Sequence, residues 1–370
     1  MKHLFFCSSL IILSLSACSG KQNTTAGIEN ETPPADTVAI EIIPELPPLE
    51  AGEVFLKGKE VFSEETELTG THIEEPDTFI FKPVEPTMVI RDSLLIMGCR
   101  DAPFYVFRYP SFTHVKTIGD RGNGPDEFML PVAIESSDPA YLCYMLDGYN
   151  GNLYGLDSHL EEHFIKKAFD RKSVWDYVEH AYPAGEKAIL YQMGSNIYRV
   201  PLENDSIQRE KLYNLRLQHS KGIPATGALC TNPGRDRMVF AYKYTKIIKF
   251  MDMEAKTVRT LNFEESEFDE KTLTVINGLD ANVTHYMQVL PTRDYVYITH
   301  SGRTPYVVAA EAQKGNNYMY LEKYDWNGNP VKRYKLHDFC VYNVIDPKTG
   351  TLVMTTYYHD DPFVVYHLDE

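Results

Sequence analysis

The chain is poor in positive charge, and this shortage argues against one large class of partners. Its 370 residues contain 36 Lys and Arg against 52 Asp and Glu, which gives a formal net charge of −16. No run of basic residues occurs that could neutralise a phosphate backbone. A nucleic-acid partner is therefore not expected, because binding to polyanions depends on clustered Lys and Arg.

Closely spaced cysteines are also missing. After the first twenty residues four cysteines remain, far apart in the sequence: Cys99, Cys143, Cys230 and Cys340. Without a C-x-x-C pair the chain offers neither a zinc knuckle nor a thiol redox motif. Because three of the four stand in apolar runs, we expect small buried side chains, although an exported protein could pair two of them.

Catalytic and cofactor motifs are absent as well. The sequence contains no G-x-S-x-G and no H-E-x-x-H motif. The stretch "GDRGNGPDEF" (119–128) has the spacing G-x-x-G-x-G and carries acidic residues that would repel a phosphate, so it does not predict a nucleotide loop. "DWNGN" at Asp325 begins like a calcium loop, but its glycine is fourth instead of sixth, which favours a hairpin turn. We assign no catalytic residue, metal ligand or cofactor.

The first residues have the pattern of an export signal. Lys2 precedes an apolar segment, 4–15, that is too short to span a bilayer. The following "LSAC" resembles the lipobox of bacterial lipoproteins, which implies a signal peptide over 1–17 and lipidation of Cys18. An ordinary secretory signal cut after Ala17, with the cysteine left unmodified, is the alternative.

Residues 18–50 are predicted to form a flexible tether. They are rich in Pro, Glu and Thr and lack aromatic side chains, so they cannot bury enough apolar surface to fold. The acyl chains on Cys18 would hold the protein on a membrane. The expected location is the bacterial cell envelope, at the outer membrane, on either its periplasmic or its outer side.

Residues 51–370 contain a repeated strand pattern. Short apolar runs rich in Tyr, Val, Ile and Phe alternate with Gly, Pro, Asp and Asn, which is typical of strands and turns. Six apolar hairpins recur at intervals of about 45 to 60 residues, a length that suits a four-stranded propeller blade. They begin at Leu94, Leu142, Ala188, Met238, Tyr295 and Leu352, and the fifth has a delayed return strand at Tyr318.

Each hairpin is preceded by a short inner strand, and most are followed by an outer strand. The pattern therefore predicts an all-β fold, a six-bladed β-propeller with four-stranded antiparallel blades. The last unit stops after its third strand, "FVVY", so a strand from the N-terminal side must close that blade. We expect this closing strand at Glu60–Phe62, because "GKEVFSEE" resembles the outer-strand segment "GNPVKRYKL".

The stretch at 119–128 is then the joint between the first two blades. Its glycines permit a tight reversal, and Phe128 is expected to fill the wedge between the blades. With Gly119, Gly122, Gly124, Pro125, Glu127 and Phe128, the joint resembles those of NHL-type propellers and, more closely, of TolB-like six-bladed propeller lipoproteins of Bacteroidetes-type bacteria. "YDWNGNPVKRYKL" (324–336) resembles a hairpin of the same family. The resemblance implies the fold and lipid anchoring, and little about chemistry.

The turns between second and third strands are the predicted functional loops, since they lie on one face around the axis. Their Tyr, Arg, His and Asp side chains suit a peptide, a glycan, a polar small molecule or an envelope protein. The candidate binding residues are Arg100, Tyr149, Tyr244, His300, Arg303, Tyr306, His359, Asp360 and Asp361. The turn at 301–317 is longer than the others, which favours a functional loop. We predict a binding module; the alternative is a metal-dependent lactonase or lyase, with His300, His359, Asp360 and Asp361 as ligands near the axis.

The anchoring hypothesis rests on Cys18. Replacing Cys18 with Ala should move the protein from the membrane fraction to the soluble fraction and abolish incorporation of a labelled fatty acid, because the acyl chains supply the membrane affinity. Fractionation and acyl labelling measure both effects. A Cys18→Ala variant that still labels and sediments would disprove the prediction.

Overall fold

Six antiparallel β-sheets stand around a common axis in the computed structural model of the protein. The structure describes residues 52–74, 83–100, 103–124, 127–203, 209–217, 222–234, 236–266, 268–269, 280–356 and 361–368. The predicted signal peptide, Cys18 and the tether lie outside these residues. No helix within them is long and apolar enough to cross a membrane.

Three short strands precede the blades: β1 (Glu53–Phe55), β2 (Glu65–Leu68) and β3 (Thr71–Ile73). Blade 1 consists of β4 (Thr87–Arg91), β5 (Leu94–Gly98), β6 (Phe104–Arg108) and β7 (Thr113–Ile118). Two small strands, β8 (Asp120–Arg121) and β9 (Glu127–Phe128), lie in the next joint. Blade 2 consists of β10 (Pro131–Glu135), β11 (Cys143–Asp147), β12 (Asn152–Leu156) and β13 (Glu162–Lys167). Blade 3 consists of β14 (Ala181–Pro183), β15 (Ala188–Met193), β16 (Asn196–Pro201) and β17 (Glu210–Asn214).

The second half of the ring follows the same order. Blade 4 consists of β18 (Gly227–Thr231), β19 (Arg237–Tyr242), β20 (Ile247–Asp252) and β21 (Thr257–Asn262). Blade 5 consists of β22 (Thr284–Pro291), β23 (Tyr295–Arg303), β24 (Met319–Asp325) and β25 (Pro330–Leu336), with helix α1 (Pro305–Ala312) between β23 and β24. Blade 6 consists of β26 (Tyr342–Ile345), β27 (Thr351–Thr355), β28 (Phe363–His367) and the N-terminal β3. The six-bladed propeller and its six hairpins are thus confirmed.

The hydrophobic core is divided into six wedges, one between each pair of neighbouring blades. Each inner hairpin is apolar on both faces because both faces are covered; β11, for example, is buried along its whole length. The wedge between blades 4 and 5 joins Phe250 to Ile298 and Tyr324, and the wedge between blades 6 and 1 joins Val353 to Leu95. Burying one such side chain contributes about 1.5–3 kcal/mol. The first and last blades therefore pack on each other, and the ring is closed.

The four cysteines belong to these wedges. All of them are buried and none forms a disulfide: Cys99, Cys143, Cys230 and Cys340. Burial raises the pKa of the Cys143 thiol, so this side chain stays uncharged. The expectation of small buried hydrophobic side chains is confirmed, and the alternative of a disulfide between two of them does not hold in this structure.

The strand that closes blade 6 is not the expected one. β3 pairs with β28, with Thr71 opposite Val365 and Ile73 opposite Phe363. The prediction of an N-terminal closing strand is confirmed, but its placement at Glu60–Phe62 is wrong. Phe62 instead packs against Tyr324 in the wedge between blades 4 and 5, with ring centroids 5.4 Å apart.

The reason for this difference is an N-terminal belt, residues 53–73, which runs outside three blades. β1 adds a parallel fifth strand to the edge of blade 4, and β2 adds one to the edge of blade 5. Glu65 and Glu67 of β2 accept hydrogen bonds from Arg333 Nε at 2.6 Å and Lys335 Nζ at 2.8 Å. The belt covers two sheet edges before it completes blade 6, and covered edges protect a sheet from pairing with other chains.

The joint between blades 1 and 2 has the structural role expected of it. Gly119 has a φ of +77°, a conformation that a side chain disfavours. The Glu127 carboxylate accepts a hydrogen bond from the Gly124 N–H at 2.6 Å, which holds the loop together. Phe128 is buried in the wedge, where its ring lies 5.0 Å from that of Phe104 and 5.4 Å from that of Tyr154.

Closure makes one glycine of the belt sensitive to substitution. A Cβ atom at Gly70 would lie 2.3 Å from Val364 Cγ1 and 2.7 Å from the Tyr366 ring. We expect Gly70→Ala to lower the free energy of unfolding by about 1–3 kcal/mol, the usual cost of overpacking. Gly234→Ala is the matched control, since its Cβ would meet nothing closer than 3.3 Å. Urea unfolding of both variants measures the difference, and equal stabilities would contradict this role of Gly70.

Candidate functional site

Charged and polar side chains gather at one end of the propeller axis. In every blade the inner strand begins, and the second strand ends, on the same face, which we call the mouth face. The inner strands line the axis. Residues just before an inner strand, or just after a second strand, therefore surround the opening of the axis. The channel mouth is formed by Glu85 and Arg100 of blade 1, Tyr177, Glu179 and His180 ahead of blade 3, Lys243 and Tyr244 of blade 4, and Asp280 ahead of blade 5.

These residues come from blades on different sides of the ring. Blades 1 and 4 are opposite each other in a ring of six, yet the charges of Glu85 and Lys243 interact. Glu179, ahead of blade 3, interacts with both Arg100 and Lys243. Such interactions across the ring require that the side chains point inward and converge near the axis.

Local contacts hold several of these groups in place. Arg100 forms an ion pair with Glu85 through Nη1 and Oε2. The Tyr244 hydroxyl donates a hydrogen bond to Asp280 Oδ2 at 2.7 Å, and the Lys243 ammonium lies 5.1 Å from the centre of the Tyr244 ring. The mouth therefore has pre-positioned donors and acceptors, which is a requirement for specific binding.

The ionisable side chains of the mouth are partly removed from water, and this shifts their pKa values. Burial raises the pKa of Glu179, and the neighbouring positive charges only partly oppose this effect. Burial lowers the pKa of Lys243 and lowers that of His180 to about 4, so His180 is neutral at pH 7. Glu179 nevertheless keeps solvent-exposed surface, so its side chain lies at the open end of the axis. Charges interact more strongly where protein surrounds them on several sides than in bulk water, because screening is weaker there.

The structure brings together two of the predicted binding residues and places others apart. Arg100 and Tyr244 both belong to the mouth. Tyr149 lies on the mouth face in the turn of blade 2, where the guanidinium of Arg171 stacks on its ring at 3.5 Å. Tyr306 is exposed on helix α1 of blade 5. In the turn of blade 2 that carries Tyr149, Asp147 accepts hydrogen bonds from the backbone N–H groups of Met129, Tyr149 and Asn150 and so holds the turn in place.

His300 does not reach the mouth. It is buried in the wedge between blades 4 and 5, with Nδ1 3.6 Å from Glu322 Oε1, and its ring stacks on that of His285 at 6.1 Å. Burial lowers the pKa of His300 well below its usual value. A cavity of about 330 Å³, lined by Lys246, Glu322 and Arg333, lies in the same wedge beneath the belt.

An axial metal site receives no support from the described residues. His359 and Asp360, two of the proposed ligands, lie outside them, and Asp361 is half-buried beside blade 6. Within the described ranges the only cluster of metal-binding type is formed by Asp157, Glu161 and His163. It is located at the turn between the third and fourth strands of blade 2, on the face opposite the mouth.

Arg303 has a structural role in the long turn of blade 5. Its guanidinium forms an ion pair with Glu311 of α1, donates a hydrogen bond to the Tyr318 carbonyl, and stacks on the Tyr318 ring at 3.7 Å. Thr304 caps the helix by accepting a hydrogen bond from Val307 N at 3.1 Å. The long turn is thus an ordered helical extension, and the Arg303 donors are used inside it.

Sequence reasoning missed six of the eight mouth residues. Glu85, Glu179, His180 and Asp280 are located in the joints that lead into inner strands, and these joints differ in length and composition. One feature of the sequence could have identified them: each is an ionisable residue one to four positions before an inner strand. The turns between second and third strands, where the binding residues were predicted, contribute Arg100, Lys243 and Tyr244, and Lys243 was not among the predicted residues.

Comparison with known proteins identifies the fold but no family. No family model and no curated protein sequence matches this chain. Among solved structures, an exported protein from Bacteroides fragilis is 12% identical; the match covers 84% of this chain and 98% of the other, with a TM-score of 0.53. A member of the DUF4221 family from Bacteroides vulgatus is 8% identical, with 82% and 96% covered and a TM-score of 0.54. Identities this low establish a shared fold and nothing about chemistry.

The contacts of Arg303 lead to a stability prediction. Arg303→Ala should lower the free energy of unfolding by about 1–3 kcal/mol, because Glu311 loses its partner and the Tyr318 carbonyl loses a donor. Arg303→Lys should recover only part of this loss, since an ammonium cannot form the same forked contact. Tyr306→Ala, at an exposed ring of the same extension, is the control and should be near neutral. Denaturant unfolding would contradict this role if Arg303→Ala matched Tyr306→Ala.

Proposed function

We propose that the protein is an exported binding protein of the bacterial cell envelope and that its ligand site is the channel mouth. The observation that carries the proposal is the convergence of ionisable side chains from blades 1, 3, 4 and 5 at one solvent-accessible end of the axis. Burying charges is costly, and a stable fold does not need them at this position. The ligand is a peptide, a glycan or another polar molecule that forms several hydrogen bonds.

Export is supported by two independent observations, and anchoring by the first of them. The sequence combines an apolar signal segment with "LSAC", which favours a lipid on Cys18 and attachment to the outer membrane. One of the structures with the same fold is an exported protein from Bacteroides. Together with the joint at Gly119–Phe128, these observations support a TolB-like or NHL-like propeller lipoprotein.

A binding role is favoured over catalysis by the way the mouth is built. Glu85 is paired with Arg100, and Asp280 with Tyr244, so two of its three carboxylates are already engaged. Paired groups of this kind orient a ligand well, whereas a metal site needs three or four ligand atoms free to converge on one ion. The proposed ligand is therefore bound by side chains alone.

Charge removal at the mouth tests the proposal. Arg100→Ala and Lys243→Ala should each weaken binding by about 1–3 kcal/mol, because each removes a charged donor from a poorly hydrated site. Lys348→Ala, at an exposed lysine in an inner turn on the opposite face, is the control. A panel of neutral oligosaccharides, short peptides and polar metabolites is first screened by thermal shift, and each hit is measured by calorimetry. Hits that bind both mouth variants as tightly as the wild type would disprove the mouth as the site.

A further inference from the structure

One tryptophan of the chain is exposed beside the channel mouth. The chain contains two tryptophans; Trp326 is 9% exposed, whereas Trp175 is 56% exposed. Trp175 belongs to the joint between β13 and β14, which passes along the mouth face. It stands two residues before Tyr177 and four before Glu179, both of which form the mouth. A large exposed aromatic ring next to a polar opening is typical of a binding surface.

The joint that carries Trp175 is held in a defined shape. Asp176 Oδ2 accepts hydrogen bonds from the backbone N–H groups of Lys172 at 3.0 Å and Ser173 at 3.1 Å. Ser173 Oγ accepts one from the Trp175 N–H at 3.2 Å. Arg171, at the start of the joint, is fixed by its stacking on Tyr149. The exposed indole is thus presented by an ordered loop, which limits the entropy lost when it contacts a ligand.

The charged groups near Trp175 are of mixed sign, with three carboxylates (Glu85, Glu179 and Asp280) and two cations (Arg100 and Lys243). Arg100 and Glu85 neutralise each other, and the Tyr244 hydroxyl occupies one oxygen of Asp280. Glu179 and Lys243 remain, and among the described residues neither side chain forms a hydrogen bond, although their charges interact. One supplies acceptors and the other donors.

A neutral polyol suits this pair better than an ion does. A hydroxyl group can donate to the Glu179 carboxylate while it, or its neighbour on the ring, accepts from the Lys243 ammonium. A ligand with one charge, of either sign, would be attracted by one of the two groups and repelled by the other, so its charge would contribute little to binding. The C–H face of a sugar ring is apolar, so the same molecule can cover the exposed indole.

We propose that the ligand is a neutral glycan, with the Trp175 indole stacked on one sugar ring and the hydroxyls of an adjacent ring bonded to Glu179 and Lys243. This assignment rests on the proposed function, because it places the glycan at the channel mouth. It goes beyond that function by naming the ligand class and the aromatic residue that binds it.

The two tryptophans allow a direct test by fluorescence. Cellohexaose, maltohexaose, mannohexaose and the fully N-acetylated chitohexaose, all of them neutral, are titrated into the wild-type protein while quenching of tryptophan emission by acrylamide is measured. A bound hexasaccharide should protect the exposed Trp175 and leave the buried Trp326 unchanged. In the Trp175→Phe variant the protection should disappear, which assigns the signal to Trp175.

Affinities measured on the same sugars complete the test. Trp175→Ala should weaken binding about tenfold or more, the scale of a residue at the centre of a binding site. Glu179→Gln should also weaken it, since a charged acceptor is lost. Phe164→Ala is the matched control, because this aromatic ring is 61% exposed on the outer strand β13, away from the mouth.

The outcomes separate the glycan assignment from the proposed function. A hexasaccharide that protects Trp175 and loses affinity in Trp175→Ala, but not in Phe164→Ala, supports the glycan site. If peptides bind in a manner that depends on Arg100 and Lys243 while no hexasaccharide binds, the mouth stands as the site and the glycan assignment is overturned. If hexasaccharides bind equally to the wild type, Arg100→Ala and Trp175→Ala, the ligand site lies elsewhere and both fall.

Discussion

The rest of the structure depends on the closure of the ring. Each blade has two apolar faces, so each must pack between two neighbours, and blade 6 must meet blade 1. β3 joins the N-terminal belt to the last blade, and it is fixed by more than its pairing with β28. Asp338 accepts a hydrogen bond from the Tyr366 hydroxyl at 2.5 Å, and its other oxygen lies 3.1 Å from His72 Nε2 of β3. A buried polar contact of this kind is directional, so it favours one register of the closing strand.

Closure also explains how a site can form from residues far apart in the chain. Glu85 and Asp280 are separated by almost two hundred residues, yet the ring brings both to the same opening. Because every inner strand begins on the mouth face, each joint delivers side chains to the axis without altering the wedges beneath it. The wedges can therefore stay apolar while the mouth is charged, and the chemistry of the mouth is independent of the packing that supports it.

The fold could be predicted from the sequence to a large extent, because turn residues and apolar strands recur in every blade. The hairpins beginning at Leu94 and Tyr295 are found where the pattern places them. The closing strand was misplaced by about ten residues, since β1 and β2 are strands of the same appearance and only tertiary pairing distinguishes them from β3. The site was harder: Arg100 lies in a regular turn and could be found, whereas Glu179 lies in an irregular joint. The Arg303 side chain points into the long turn of blade 5 because it pairs with Glu311 of helix α1. The turn pattern in the sequence does not reveal this helix.

The parallel pairing of the belt has a mechanical consequence. A pull on the chain at Gly52, directed back along β1, would load the hydrogen bonds between β1 and β21 together, in shear, instead of opening them one at a time. If β1 separates, the force is next borne by β2 on blade 5. This strand is also paired in parallel, and ion pairs of Glu65 and Glu67 reinforce the pairing. β3 is the last of the three strands to receive the force. A propeller of this design can therefore bear a force applied from its N-terminal side while its ring remains closed.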